Sequence, residues 1–269
     1  MPPVNDPAST TAGAASTFAK GLQVLRCFEG RREALSMAEV ARLAGLDRAT
    51  ARRLCLALID AGFLVARGRG LHLTARVLAV GAGYLAAHDV GRVVQPALNR
   101  AAEELGGDIA LAVRDGGRAI YVACSATAGA RVSQGFTAGS TLPLLPTAVG
   151  RMLLAGDTDT ALDALLATPE ATLRHTEATQ TDPALLRRAV EAARRQGFAQ
   201  ADGDFETGVA GLAVPCGSLG GVEAVLGTSA PVNTFAATAE RDRALAVLRR
   251  TAMALGLGRN EARVADRNR

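Results

Sequence analysis

The stretch LDRATARRLCLALIDAGFL, residues 46–64, sets three arginines inside an apolar helical pattern. Ala51, Leu54, Cys55 and Leu58 recur at i, i+3, i+4 and i+7, so one face of a helix can bury while Arg52 and Arg53 point elsewhere. The other face is wet and cationic, which suits an anionic partner. Asp47 is placed to cap this helix and Gly62 to stop it. Immediately upstream, Ser36 with Glu39 three residues on has the capping-box pattern. Met37, Val40, Ala41 and Leu43 supply the buried side of a second helix, which breaks at Gly45. Helix, short glycine-containing turn, helix is the helix-turn-helix pattern. In that geometry the N-terminal end of the second helix reads base edges in the major groove, which nominates Arg48, Ala49, Thr50, Arg52 and Arg53 as DNA contacts.

After Gly62 the chain reads FLVARGRGLHLT, two short apolar runs around a basic ARGRG tip. That predicts a β-hairpin, the wing of a winged helix-turn-helix, with Arg67 and Arg69 where a wing meets backbone phosphate. Before the motif, Leu22, Leu25 and Cys27 or Phe28 fit one more amphipathic helix, from Phe18 to Phe28 and ended by Gly30. Residues 17–74 thus read as a DNA-binding domain on double-stranded DNA. Residues 1–16, rich in Pro, Ala, Ser and Thr, read as a disordered tail, with a second tail at 259–269.

Charge agrees with this division. Residues 1–73 hold ten basic against six acidic side chains, and the rest of the chain is balanced, so the whole net charge of +4 lies in the first quarter. The 269 residues suit two domains, each able to bury an aliphatic core, because aromatics are only 3% and Trp is absent. Scarce aromatics argue against a base-stacking platform for single strands. The first residues lack the basic and apolar segments of a secretory signal, and no later run approaches a membrane span, so a cytoplasmic protein without a membrane partner is expected.

From Thr74 to His88, TARVLAVGAGYLAAH is helical and apolar, with Val77, Leu78, Ala82 and Leu85 as a stripe. Residues 75–88 read as a linker helix that also packs against a second subunit. Residues 89–258 form the second domain: a helix over 92–105, strands over 108–115 and 118–124, a third strand at RVSQGF, helices over 147–155, 158–167 and 182–196, strands over 213–216 and 223–231, and a closing helix over 236–255. Antiparallel strands with helices against them make an α+β sensor-like domain.

At this point several separated motifs, in order, resemble the isocitrate lyase regulator (IclR) family of transcriptional regulators. They are LSMAEVARLAGLDRATARRLCLALIDAGFL, LPLLPTAVGRMLLA at 142–155, GFAQADGDFETGVAGLAVP at 197–215 and AVLGTSAP at 224–231. The resemblance implies a GAF-like or PAS-like effector domain behind the winged module. It also implies assembly as homodimers or dimers of dimers, homotetramers, on a near-palindromic operator. Carried across position by position, it puts a small-molecule effector among Ala148, Val149, Val209, Gly211, Gly227 and Ser229. Relatives that bind small keto acids carry a carboxylate where Ala201 stands and Cys where Gly211 stands, and often His where Leu145 stands. The adjacent Asp202 is a candidate to replace that carboxylate. A site of Ala, Val and Gly suits a larger, hydrophobic or aromatic acid, anchored by N–H groups at the start of the TAVGRM helix or by Arg131.

Enzyme chemistry has little support. His72, His88 and His175 form no metal set or base–nucleophile pair, and the cluster Asp202, Asp204 and Glu206 reads as a solvated loop. Neither phosphate-loop nor dinucleotide-binding glycine patterns occur there, so no cofactor or metal is expected. The alternative is a cysteine-based redox sensor or reductase on a GAF-like domain, using Cys124 or Cys216; no basic residue close in sequence lowers either thiol's pKa.

Overall fold

The computed structural model describes residues 7–31, 33–126 and 136–257, and side chains from residue 16 onward within them. It separates into two compact units, Met1–Tyr84 and Leu85–Arg269. Arg131, the expected RVSQGF strand before Phe136 and the tail at 259–269 lie outside the described residues.

The first unit contains α1 (Pro7–Arg26), α2 (Met37–Leu43), α3 (Arg48–Asp60), β1 (Leu64–Arg67) and β2 (Gly70–Leu73). Helix α1 starts at Pro7, well inside the expected tail, because proline at the first position and an alanine-rich turn both favour a helix. Val24 is buried on it, as is Phe28 in the turn that follows; Leu22, expected inside, is 48% exposed. At α2, Ser36 Oγ accepts the Glu39 N–H at 3.2 Å while the Glu39 carboxylate takes the Ser36 N–H at 2.8 Å, the reciprocal pair of the capping box. At α3, Asp47 Oδ1 accepts the Thr50 N–H at 2.9 Å. The other end of α3 is closed by Arg76, whose Nη1 donates to the Ala61 carbonyl at 2.7 Å, a cation where the helix dipole is negative. Val24, Phe28, Leu35, Val40, Leu54, Cys55, Leu64 and Leu71 form the core. The β1–β2 hairpin is antiparallel, with Arg67 opposite Gly70 at its tip. Leu35 exchanges both backbone hydrogen bonds with Leu71, which ties the chain before α2 to the wing.

Helix α4 (Arg76–Ala87) buries none of its residues. Leu78 is 74% and Val80 66% exposed, and Ala82 is exposed too. Leu85, expected on the same stripe, instead packs against the core of the second unit.

In the second unit a π-helical turn, Val90–Val94, leads into α5 (Gln95–Leu105), so the helix expected from residue 92 is irregular at its start. Then come β3 (Ile109–Asp115), β4 (Arg118–Cys124), β5 (Thr141–Pro143), α6 (Ala148–Leu154), α7 (Asp159–Leu166), α8 (Pro183–Gln196), β6 (Ala199–Asp202), β7 (Val209–Leu219), β8 (Val222–Pro231) and α9 (Thr238–Leu255). The six strands form one antiparallel sheet, in the order β5-β4-β3-β8-β7-β6. Strands β5 and β6 were not foreseen; both are short edge strands with little alternation to reveal them. One sheet face packs on α5 and α9 through residues such as Leu98, Leu111, Leu226 and Leu248. The other packs on α6 and α8, with α7 against α8, through a core that includes Ala112, Val149, Leu153, Leu162 and Leu186. Each fully buried leucine there is worth about 1.5–3 kcal/mol of transfer free energy.

A bulge in β4 controls what reaches that second face. Leu111 pairs with Ala123 but Ala112 with Tyr121, leaving Val122 as the extra residue. Ala123 and Val122 consecutively join the α5/α9 core, and Tyr121 turns to the α6 side. Without that residue the period of two would send Tyr121 the other way.

Candidate DNA interface and effector cavity

On α3, Ala51, Leu54 and Cys55 are buried, while Arg48, Ala49, Arg52, Arg53 and Leu56 are exposed. Thr50 is half-buried, and its hydroxyl accepts from Arg53 Nη2 at 3.3 Å. Arg67 and Arg69 stand exposed at the wing tip. None of Arg48, Arg52, Arg53, Arg67 or Arg69 has a carboxylate partner among the described residues, whereas arginines of the second unit repeatedly do, as in Arg114–Asp157 and Arg194–Asp159. These five exposed cations lack internal neutralisation, which suits phosphate and base edges.

In the second unit an open cavity of about 840 Å³, including the space at its mouth, lies between α6 and the sheet. Ala148, Val149, Val209, Gly211, Gly227 and Ser229 all line it, so six of the seven expected positions come together. Asp202 does not: its carboxylate is exposed and accepts from Gln200 Nε2 at 2.8 Å. The β-strand alternation that buries Ala201 turns Asp202 outward. Two glycines let α6 lie close to the sheet. A Cβ on Gly211 would stand 3.2 Å from the Ala148 Cβ, and one on Gly227 would stand 2.6 Å from Val149 Cγ2. A side chain at 211 would require Ala148 to give way by a few tenths of an ångström.

The acidic loop is not all solvated. Asp204 is buried and pairs with Arg151 of α6, whose Nη2 lies 2.8 Å from Asp204 Oδ1, with side-chain exposures of only 8% and 10%. Arg151 also donates through Nε to the Leu145 carbonyl at 2.8 Å and through Nη1 to the Gln200 carbonyl at 3.0 Å. The Asp204 carboxylate further accepts the N–H groups of Gln180 and Asp202, both at 3.2 Å. The pair ties α6 to the loop between β6 and β7. The signal that could have found it is one arginine in the otherwise uncharged segment TAVGRMLLA, which requires a buried anion nearby.

Aromatic side chains missing from the sequence-based site build one wall. Tyr121 meets Phe136 edge-on at 5.8 Å between ring centroids, and Phe136 lies 6.3 Å from Phe205. His175 meets Phe205 at 5.1 Å; partial burial, then the Arg118 charge, lowers its pKa below the ordinary histidine value. Thr147 caps α6, accepting the Gly150 N–H at 3.0 Å, so part of the donor set expected at this helix start is already used. Of the thiols, burial pushes Cys216 up to about 12 and raises Cys55 and Cys27, the opposite of what a reactive thiolate needs; Cys124 lines the cavity.

No group of three or more His, Cys, Asp and Glu among the described residues could hold a metal ion, and none of their helices is singly long and apolar enough to cross a membrane. Residues 17–68 match the IclR helix-turn-helix domain, and residues 82–256 match the C-terminal domain of bacterial IclR transcriptional regulators. The chain is 31% identical over 234 residues to the Pca regulon regulatory protein of Pseudomonas putida, covering 87% of this chain and 80% of that one. An IclR regulator of a Silicibacter species superposes with a TM-score of 0.78 at 27% identity, over 89% of this chain and 94% of that one. An IclR homologue of Microbacterium hydrocarbonoxydans, solved with 4-hydroxybenzoate, gives 0.69 at 25% identity, over 89% and 97%. These relatives are regulators rather than enzymes, and the chain belongs to the IclR family of bacterial transcriptional regulators, with a helix-turn-helix module followed by an α+β C-terminal domain.

Proposed function

We propose that this regulator binds a near-palindromic operator as a homodimer and that an aromatic acid in the C-terminal cavity shifts its affinity for DNA. Support for the ligand comes from the aromatic wall of Tyr121, Phe136 and Phe205 facing the small side chains Ala148, Val149, Gly211 and Gly227. A relative solved with 4-hydroxybenzoate adds a ligand of this size and chemistry. The observation that carries the DNA reading is the unpaired arginine face of α3 and the wing. A single winged module offers a small footprint, so two half-sites related by a dyad supply the affinity. Helix α4, apolar yet without a buried residue, is the surface assigned to the second subunit.

The ligand acts only as far as it binds one arrangement of the two winged modules better than another, typically about 1–3 kcal/mol of coupling. Thermal-shift screening of aromatic and aliphatic acids, followed by DNA binding with each hit, tests this. In Ala148→Trp, a bulky ring fills the space between α6 and the sheet. The expected result is loss of both the thermal shift and the effect on DNA; a variant that retains both would remove the ligand from this cavity.

A further inference from the structure

The polar groups lining the cavity are mostly committed to the protein itself. Ser125 Oγ accepts the Ile109 N–H at 3.0 Å. Thr228 Oγ1 donates to the Asp108 carbonyl at 2.6 Å, and Thr147 Oγ1 donates to the Pro143 carbonyl at 2.8 Å. Asp204 is held by Arg151. The Tyr121 hydroxyl differs: it forms no hydrogen bond with any described residue, although its ring is packed against Phe136 and lines the cavity. Tyr121 is half-buried at an open cavity, and its hydroxyl is not held by the protein, so it is available to a polar group that arrives with the ligand.

The backbone is built to put it there. The extra residue Val122 in β4 reverses the strand's alternation, so that Tyr121 and Cys124, three residues apart, both face the cavity. Bulges of this kind commonly re-aim a side chain beside a binding site. The strand is also held on its far side, where the Tyr121 N–H donates to the Ser140 carbonyl at 2.9 Å and its carbonyl accepts the Gly139 N–H at 2.8 Å. Burial, reinforced by the nearby Cys124 and Glu206, pushes the phenol's pKa above its ordinary value, so the group stays neutral and can both donate and accept.

Resting on the cavity reading above, we infer that Tyr121 is the specificity-determining residue that selects hydroxylated aromatic ligands over their unsubstituted parents, by hydrogen bonding to the ligand's hydroxyl. The bond forms inside an aromatic wall that already favours the ring, so the hydroxyl decides between ligands of equal size.

The test uses the full chain and three probes: 4-hydroxybenzoate, 3-hydroxybenzoate and benzoate, with affinities from calorimetry. The wild type is expected to bind one hydroxybenzoate on the order of tenfold more tightly than benzoate, the scale of a single neutral hydrogen bond. Tyr121→Phe should lose that preference while keeping its benzoate affinity. Its fold should be unaffected, since the hydroxyl it removes has no partner among the described residues. A second measurement does not depend on the variant. With two tyrosines in the chain, Cζ-labelled tyrosine gives two resonances, and that of Tyr121 should move with the hydroxybenzoate but not with benzoate, Tyr84 serving as reference. A preference unchanged in Tyr121→Phe, no preference in the wild type, or a Tyr121 resonance that responds equally to benzoate overturns the assignment to Tyr121 and leaves the cavity reading intact. Failure of all three probes to bind the wild type at millimolar concentration overturns the aromatic-acid reading itself, and this assignment with it.

Discussion

Arg151 shows how one side chain can organise a binding domain. Its guanidinium reaches Leu145, Gln200 and Asp204, three separate segments, from the middle of a fully buried helix. Such a pair is not a large net source of stability compared with an apolar replacement of both partners, but removing one partner strands the other charge. Arg151→Ala should therefore destabilise the second domain by about 3–5 kcal/mol, read as a lower urea midpoint with an unchanged slope. Asp204 explains why this site was only partly legible in the sequence. A stretch such as ADGDFETG reads as solvent-facing, because neither its burial nor the arginine it meets, 53 positions away, is a local property. Tyr121 was missed for a different reason. Alternation along RAIYVAC does not reveal that one of its residues is a bulge.

At the scale of elements, the helix-turn-helix was the most legible part, because its signals are local: the Ser36–Glu39 box, the Asp47 cap and the apolar spacing of α3 all form within a few residues. The edge strands β5 and β6 were not legible, being three and four residues long and defined by their partners rather than by their own pattern. On the DNA reading proposed above, helix α3 and the wing divide the work. Arg52 is exposed on α3, the proposed recognition helix, where bidentate contact with guanine would be worth roughly 1–3 kcal/mol of discrimination. Arg67 stands at a hairpin tip suited to phosphate. Arg52→Ala should weaken cognate DNA more than random-sequence DNA. Arg67→Ala should weaken both alike and reduce the slope of log affinity against log salt by about 1. Equal losses on both DNAs for the Arg52 change would take base reading away from it.

For the whole molecule, the exposed apolar side chains of α4 are the feature that a lone chain leaves unexplained. Leu78→Glu costs a monomer little at a position already 74% exposed, but places a charge in the centre of the assigned subunit contact. Light scattering at micromolar concentration should give a dimer for the wild type and a folded monomer for the variant. A monomeric wild type, or a variant that remains dimeric, would move the contact elsewhere. The Arg151–Asp204 pair also has a kinetic side. A buried ion pair between residues 53 positions apart is rewarded only after the chain has closed the intervening loop and expelled water, so it is expected to form late in folding. Contacts absent from the transition state leave the folding rate alone and act on the unfolding rate. The clamp beside the cavity is thus expected to govern how long a folded molecule lasts rather than how quickly one forms: stopped-flow measurement of Arg151→Ala should show faster unfolding with the refolding rate unchanged.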